Sequence, residues 1–131
     1  MHIRGIRGAI AVAANTERAI LDATRGLLTG MVRSNDVETD EIAAVVFTTT
    51  PDLNAAFPAE AARQLGWQNV ALMSGVEMNV PGALARCIRV LILWNTTRSQ
   101  EQVVHVYLDG AEVLRPDLKT ASRAPTRGRT G

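Results

Sequence analysis

A chain of 131 residues with 47% hydrophobic side chains fits one domain with one core, and at 4% aromatic that core is built from Ala, Val, Ile and Leu. The formal charge of +1 is unevenly spread: residues 119–131 carry Lys119, Arg123, Arg127 and Arg129 and no acid, and taking these four cations from the total leaves a body of −3. A body of that sign argues against nucleic acid as the main partner, because phosphate binding needs clustered cations on a folded surface. No segment approaches the ~20 apolar residues of a membrane span.

In chain order, "HIRGIRGAIAV" at 2–12 reads as a strand, with Ile6, Ile10 and Val12 on one parity and Ile3, Arg7 and Ala9 on the other. Arg4 and Arg7 before "AIAVAA" imitate a signal peptide. The run of about six residues is shorter than the roughly seven to fifteen such a segment uses. With a lone cysteine, Cys87, the expectation is a reducing, cytoplasmic setting. Asn15 or Thr16 offers an N-cap for a helix whose apolar positions run Ile20, Thr24, Leu27, Leu28, Met31. Ala19, Ala23, Gly26 and Gly30 form a stripe of small side chains, which predicts close approach of that helix to a sheet.

"SND" ends the helix, and Asp40 and Glu41 lead into a buried strand, "IAAVVFTTT". After a loop with Pro at both ends, Pro58 opens a short helix, "PAEAARQL", closed by Gly66. "NVALMS" and "RCIRVLILW" are the third and fourth strands, and Ser99 with Gln102 suits a capping box over one helical turn. "VVHVYL" is a fifth strand, followed by an Asp109–Gly110 turn. The basic tail from 119 has no apolar periodicity and reads as disordered. The expectation is one α/β or α+β domain over 1–118, with a mixed five-stranded sheet and two main helices. Two helices cannot cover such a sheet. Trp67, Trp94 and the run 90–94 therefore call for partners, which self-association into a dimer or trimer would supply.

Arg89 interrupts the fourth strand. Either an internal carboxylate such as Glu77 neutralises it, or it is held ready for an anionic ligand. Arg7 also sits mid-strand, between Gly5 and Gly8, where the missing side chains leave room for a ligand. Arg63 lies on the short helix, Arg115 just past the fifth strand, and Tyr107 near that strand's end. Together they suggest a small anion pocket. His2 and His105 lack metal-ligand spacing, there is no G-x-S-x-G, and Ser74 has no evident base. Neither a metal nor a cofactor is expected. "GIRG" is not a phosphate loop, and Cys87 reads as a small buried hydrophobe.

"IRGIRGA" at 3–9, "TPDLNAAFPAEAAR" at 50–63, "CIRV" at 87–90 and "HVYL" continuing to "AEVLRPDL" at 105–118 resemble the small trimeric α/β class of chorismate mutases. The resemblance spans residues 2–118. It implies the conversion of chorismate to prephenate by a [3,3]-sigmatropic rearrangement, without nucleophile, metal or cofactor, at sites between neighbouring subunits of a homotrimer. It assigns Arg89 to the ether oxygen, Arg7 and Tyr107 to a substrate carboxylate, and Glu77 to the ring hydroxyl and the electron-poor ring. Phe57, Ala59 and Arg63 would form a wall, Leu72, Met73 and Ser74 would line the pocket, and Leu114 and Arg115 would close over it. This sequence departs from the family at Glu60, where some members carry lysine, at Ser74, where some carry cysteine, and at Met73, which replaces a small polar residue. The competing reading is a non-catalytic trimeric module that binds a small dicarboxylate in the same cationic pocket; DNA binding through the tail ranks behind both.

Overall fold

The computed structural model describes residues 1–114 and 120–121. Strand β1 (His2–Ala11) leads through helix α1 (Glu17–Asn35) and one 3-10 turn (Thr39–Glu41) to β2 (Ile42–Thr49). Helix α2 (Ala59–Gln64) precedes β3 (Ala71–Val76), and β4 (Cys87–Thr96) is followed by a 3-10 turn (Gln100–Gln102), β5 (His105–Leu108) and a further turn (Ala111–Leu114). A two-residue strand β6 (Thr120–Ala121) pairs in parallel with β5, so part of the segment expected to lack structure adds an edge strand. The mixed sheet has the order β3-β2-β4-β1-β5-β6. Its central strand β4 runs antiparallel to β1 on one side and β2 on the other, while β2–β3 and β1–β5 are parallel.

Local signals account for most boundaries. Thr16 caps α1, its hydroxyl accepting from the Ala19 N–H at 3.1 Å. Asp36 ends the helix in the left-handed region, at φ 55°, and Gly66 closes the α2 turn at φ 91°. Two strands start later than the sequence pattern suggests. β3 occupies 71–76 because its partners are Ala44 to Thr49 of β2. Val103 is excluded from β5 because its N–H closes the preceding turn on Gln100.

Both helices lie on one face: α1 packs on β1, β5 and α2, and α2 on α1 and β3. The main core forms there. Ile6 and Ile10, Val45 and Phe47, Ile88, Val90, Ile92 and Trp94, and Val106 and Leu108 meet Ile20, Leu27, Leu28 and Met31 of α1. Thus the run 90–94 alternates: Val90, Ile92 and Trp94 are buried under the helices, and Leu91 and Leu93 turn half-buried to the other face. This corrects the expectation that Trp67, Trp94 and the whole run need an outside partner. Both tryptophans are buried within the chain, and the Trp94 indole N–H donates to Glu41 Oε1 at 3.0 Å. The large apolar side chains left exposed are others, notably Phe57, Met73, Val76, Met78 and Val80.

The close helix–sheet approach also lies elsewhere than predicted. Gly26 is exposed with open space around it, and a Cβ on Gly30 would make only ordinary contact with Val106. Gly8 is the tight point: a Cβ there would lie 2.4 Å from Met31 Sδ. Its missing side chain admits the helix rather than a ligand. Buried Asn35 joins the C-terminal end of α1 to the approach to β5. Its Nδ2 donates to the Met31 and Val104 carbonyls, both at 2.9 Å, and its Oδ1 accepts the Val104 N–H at 2.8 Å. Asn35→Ala strands these backbone groups and is expected to cost about 1–3 kcal/mol, read as a lower urea midpoint at unchanged slope. An unaltered midpoint would show that water replaces the amide at no cost.

Candidate active site

The helix-free face carries the main candidate site residues. In the sheet register, Thr48 of β2 stands opposite Arg89 of β4, Arg89 opposite Ala9 of β1, and Ala9 opposite Tyr107 of β5. Because side chains in one such row share a face, Arg89 and Tyr107 flank the small Ala9. Arg7 follows one row along the same face, beside Leu91 and Val46. Arg7 is further held through its backbone N–H, which donates to His105 Nδ1 at 3.0 Å. Tyr107 is buried with Ala9, Cys87 and Ala111, and Leu84 and Leu114 pack against this second cluster.

Glu77 reaches the row from the end of β3. Its N–H donates to the Thr49 carbonyl at 2.8 Å, which continues the β2–β3 pairing by one residue. Its Oε2 lies 3.6 Å from Arg89 Nε and accepts the Thr48 hydroxyl. Of the two alternatives left open for Arg89, the internal carboxylate is present: Glu77 faces it, yet the Arg89 side chain is 50% exposed in the single chain, against 27% for Glu77. The strand is not buried on both sides, and Arg89 is not enclosed by its own chain.

The start of β4 is fixed by a separate latch. Arg86, at φ 46°, has its N–H accepted by both Asp52 oxygens at 3.2 and 3.0 Å, and its Nε donates to the Val12 carbonyl at 3.0 Å. The Thr50 hydroxyl donates to Asp52 and accepts from the Cys87 N–H at 3.0 Å. The Thr50 hydroxyl, and to a lesser degree the Arg86 N–H, hold the Asp52 carboxyl below its ordinary pKa. Burial pushes the Cys87 thiol up, away from the thiolate.

Of the remaining predicted residues that the structure describes, only Met73 and Leu114 share this face or its cluster. Ala59 is buried in the helix-side core, Phe57 is 72% exposed just before α2, and Arg63 is paired on the surface with Glu60 at 3.0 Å. On edge strand β3, Met73 shares the row of Arg7, whereas Leu72 and Ser74 take the opposite parity; Leu72 packs against the helix-side core. Leu114 joins the Tyr107 cluster, and Arg115 lies outside the described residues. Sequence reasoning missed Thr48, which reads only as one of three threonines ending a strand; register alone sets it against Arg89. Among the described residues no three metal-ligating side chains converge, and no helix is long and apolar enough to cross a membrane.

Residues 3–118 match the chorismate mutase type I family. The chain belongs to that family. It is 56% identical over 120 residues to the chorismate mutase AroH of Thermus thermophilus, covering 91% of this chain and 98% of that one. It is 45% identical over 119 residues to the AroH protein of Bacillus subtilis, covering 90% and 94%. A solved chorismate mutase from Clostridium thermocellum superposes with a TM-score of 0.82 at 48% identity, covering 83% of this chain and 97% of that one. Chorismate mutase homologues over nearly the whole chain make this an enzyme of the isomerase class.

The Asp52 latch has a signed pH dependence. A carboxyl whose pKa is lowered by folding contributes stability that is full above its unfolded value of about 4 and is lost as pH falls through the folded value. Asp52→Asn should therefore unfold at lower urea than wild type at pH 7, with the gap narrowing as pH falls below about 4. A gap independent of pH would exclude the carboxylate as the source.

Proposed function

We propose that the chain converts chorismate to prephenate at a site formed by Arg7, Glu77, Arg89 and Tyr107, completed by a neighbouring subunit of a homotrimer. The observation that carries this reading is the row Arg89–Ala9–Tyr107, with Glu77 on Arg89 and Arg7 one row on. Two guanidinium groups and a phenol on one face suit a dianion. A small residue between them leaves space for its ring.

In the rearrangement the ether C–O bond breaks as a new C–C bond forms, and no proton changes place. Negative charge grows on the ether oxygen while the ring becomes electron-poor. Arg89 is assigned to that oxygen, where a preorganised donor acts on the transition state more than on the substrate. Glu77 is assigned to the electron-poor ring, and Arg7 and Tyr107 to a carboxylate. Selection of the compact, chair-like conformer adds a proximity contribution.

The half-exposed Arg89 supports a site completed by a second chain, because such a donor acts strongly only where water is excluded. Phe57, Arg63 and Ser74 lie outside the Arg89 group in the single chain, and we assign them to the wall that a neighbour receives, with Leu114 and Arg115 closing over the ligand. Exposed Met73, Val76, Met78 and Val80 give the apolar surface for that contact. The same reading takes residues 1–118 as one domain, supported by the match over 3–118. No nucleic-acid or membrane partner is assigned. We assign a cytoplasmic setting, which a lone, buried Cys87 with no disulfide partner in the chain supports.

Purified protein should remove the absorbance of the chorismate diene and should bind a bicyclic transition-state mimic more tightly than chorismate. A dicarboxylate-binding module would do neither. Arg89→Ala should lower kcat roughly a hundred- to thousandfold with the melting curve retained. Arg89→Lys should also be poor, since a point charge does not reproduce the planar donor fork; near-normal turnover in either would remove Arg89 from its role. Light scattering should give three times the chain mass of 14.1 kDa, and a monomer active in the assay would refute the shared site.

A further inference from the structure

Glu77 Oε2 receives two groups, the Thr48 hydroxyl and, at 3.6 Å, Arg89 Nε. The second contact is longer than a hydrogen bond. It is an ion pair between two partly exposed side chains, and such pairs hold their geometry weakly in water. Arg89 and Glu77 each turn about several bonds. Thr48 does not: it is β-branched, with a stiff first torsion, and its strand β2 is paired on both sides, to β3 and to β4. It also stands directly opposite Arg89 in the register, and Glu77 is tied by its backbone to the next residue, Thr49. Of the three side chains in this contact, Glu77 and the two that meet its carboxylate oxygen, the threonine is the fixed one.

We propose that Thr48 is a positioning residue for the reaction: its hydroxyl orients the Glu77 carboxylate, and through it the Arg89 guanidinium, before substrate arrives. This rests on the function proposed above. Contact with Glu77 is made at Nε of Arg89, which leaves the terminal nitrogens available to the ether oxygen. A carboxylate free to rotate would release that edge, and the donor fork would spend less time aimed at the position where charge develops. The loss falls on turnover more than on binding, because an empty site and a site holding ground-state chorismate both lack the developing oxyanion.

Thr48→Val keeps the shape and the strand preference and removes only the hydroxyl; Thr48→Ser restores it. In steady-state assays with chorismate, Thr48→Val should lower kcat about tenfold and shift KM less than threefold, and Thr48→Ser should stay within about twofold of wild type in both. Combined with Glu77→Gln, Thr48→Val should add less than a twofold further loss, since the two act through one contact. Thr48→Ala serves as the second hydroxyl deletion should the valine not fold. The assignment is overturned if wild type is active and Thr48→Val matches it, if serine is as impaired as valine, if the losses multiply in the double variant, or if both deletions unfold. A wild-type chain that leaves chorismate unchanged fails at the level of the function itself, an outcome distinct from each of these.

Discussion

The structure depends on the two-residue period of β4, held in register from both sides. Ile88, Val90, Ile92 and Trp94 are almost fully buried beneath the helices, and each fully buried side chain of this size is worth about 1.5–3 kcal/mol. A slip of one residue would expose all four and drive Arg89 into the main core. The apolar side of the strand thereby decides where the arginine points, with no polar contact needed to orient the backbone. Pairing with β1 and β2 then brings Ala9 and Thr48 alongside it, and β5 adds Tyr107.

Much of this was legible in the sequence, and the exceptions have physical causes. The strands, both helices, the Thr16 cap and the Ser99–Gln102 turn, in which the Ser99 N–H donates to Gln102 Oε1 at 2.8 Å, follow from local patterns that act within a few residues. Arg7, Glu77, Arg89 and Tyr107 were legible as a set through family resemblance, not through spacing. Relations across the sheet were not legible. The burial of Trp94 depends on which face receives α1, and Gly8 rather than Gly26 is the tight point because Met31 enters over β1. Thr48 is meaningful only through its partner in β4. Nor was the exposure of Arg89 legible. Its half exposure is what the proposed shared site would account for.

The electrostatics follow the same division. The Glu77–Arg89 pair is partly exposed, so water screens it and it contributes little to stability. The weakness has a use, since a rigid, fully buried pair would leave the guanidinium no capacity for a ligand. The second cluster, of Ala9, Cys87, Tyr107 and Ala111, gives the open face a small apolar floor beside the charges. In the proposed assembly, the exposed residues of β3 and the loop after it carry the apolar contact, and the charged row stays clear for the dianion.

The insertion of β4 between β1 and β2 also has a bearing on how the chain reaches its native state. The sheet centre joins positions from opposite ends of the folded body: His2 pairs with Thr96, and Ala11 with Cys87. In the native sheet β1 and β2 run parallel with β4 between them, and β4 is synthesised after both. Neither of their inner edges has its native hydrogen-bonding partner before then. Such non-local closure slows folding and leaves strand edges open to wrong pairing in the interim. The row that carries Arg89 thus cannot be completed until the chain has been made through β4.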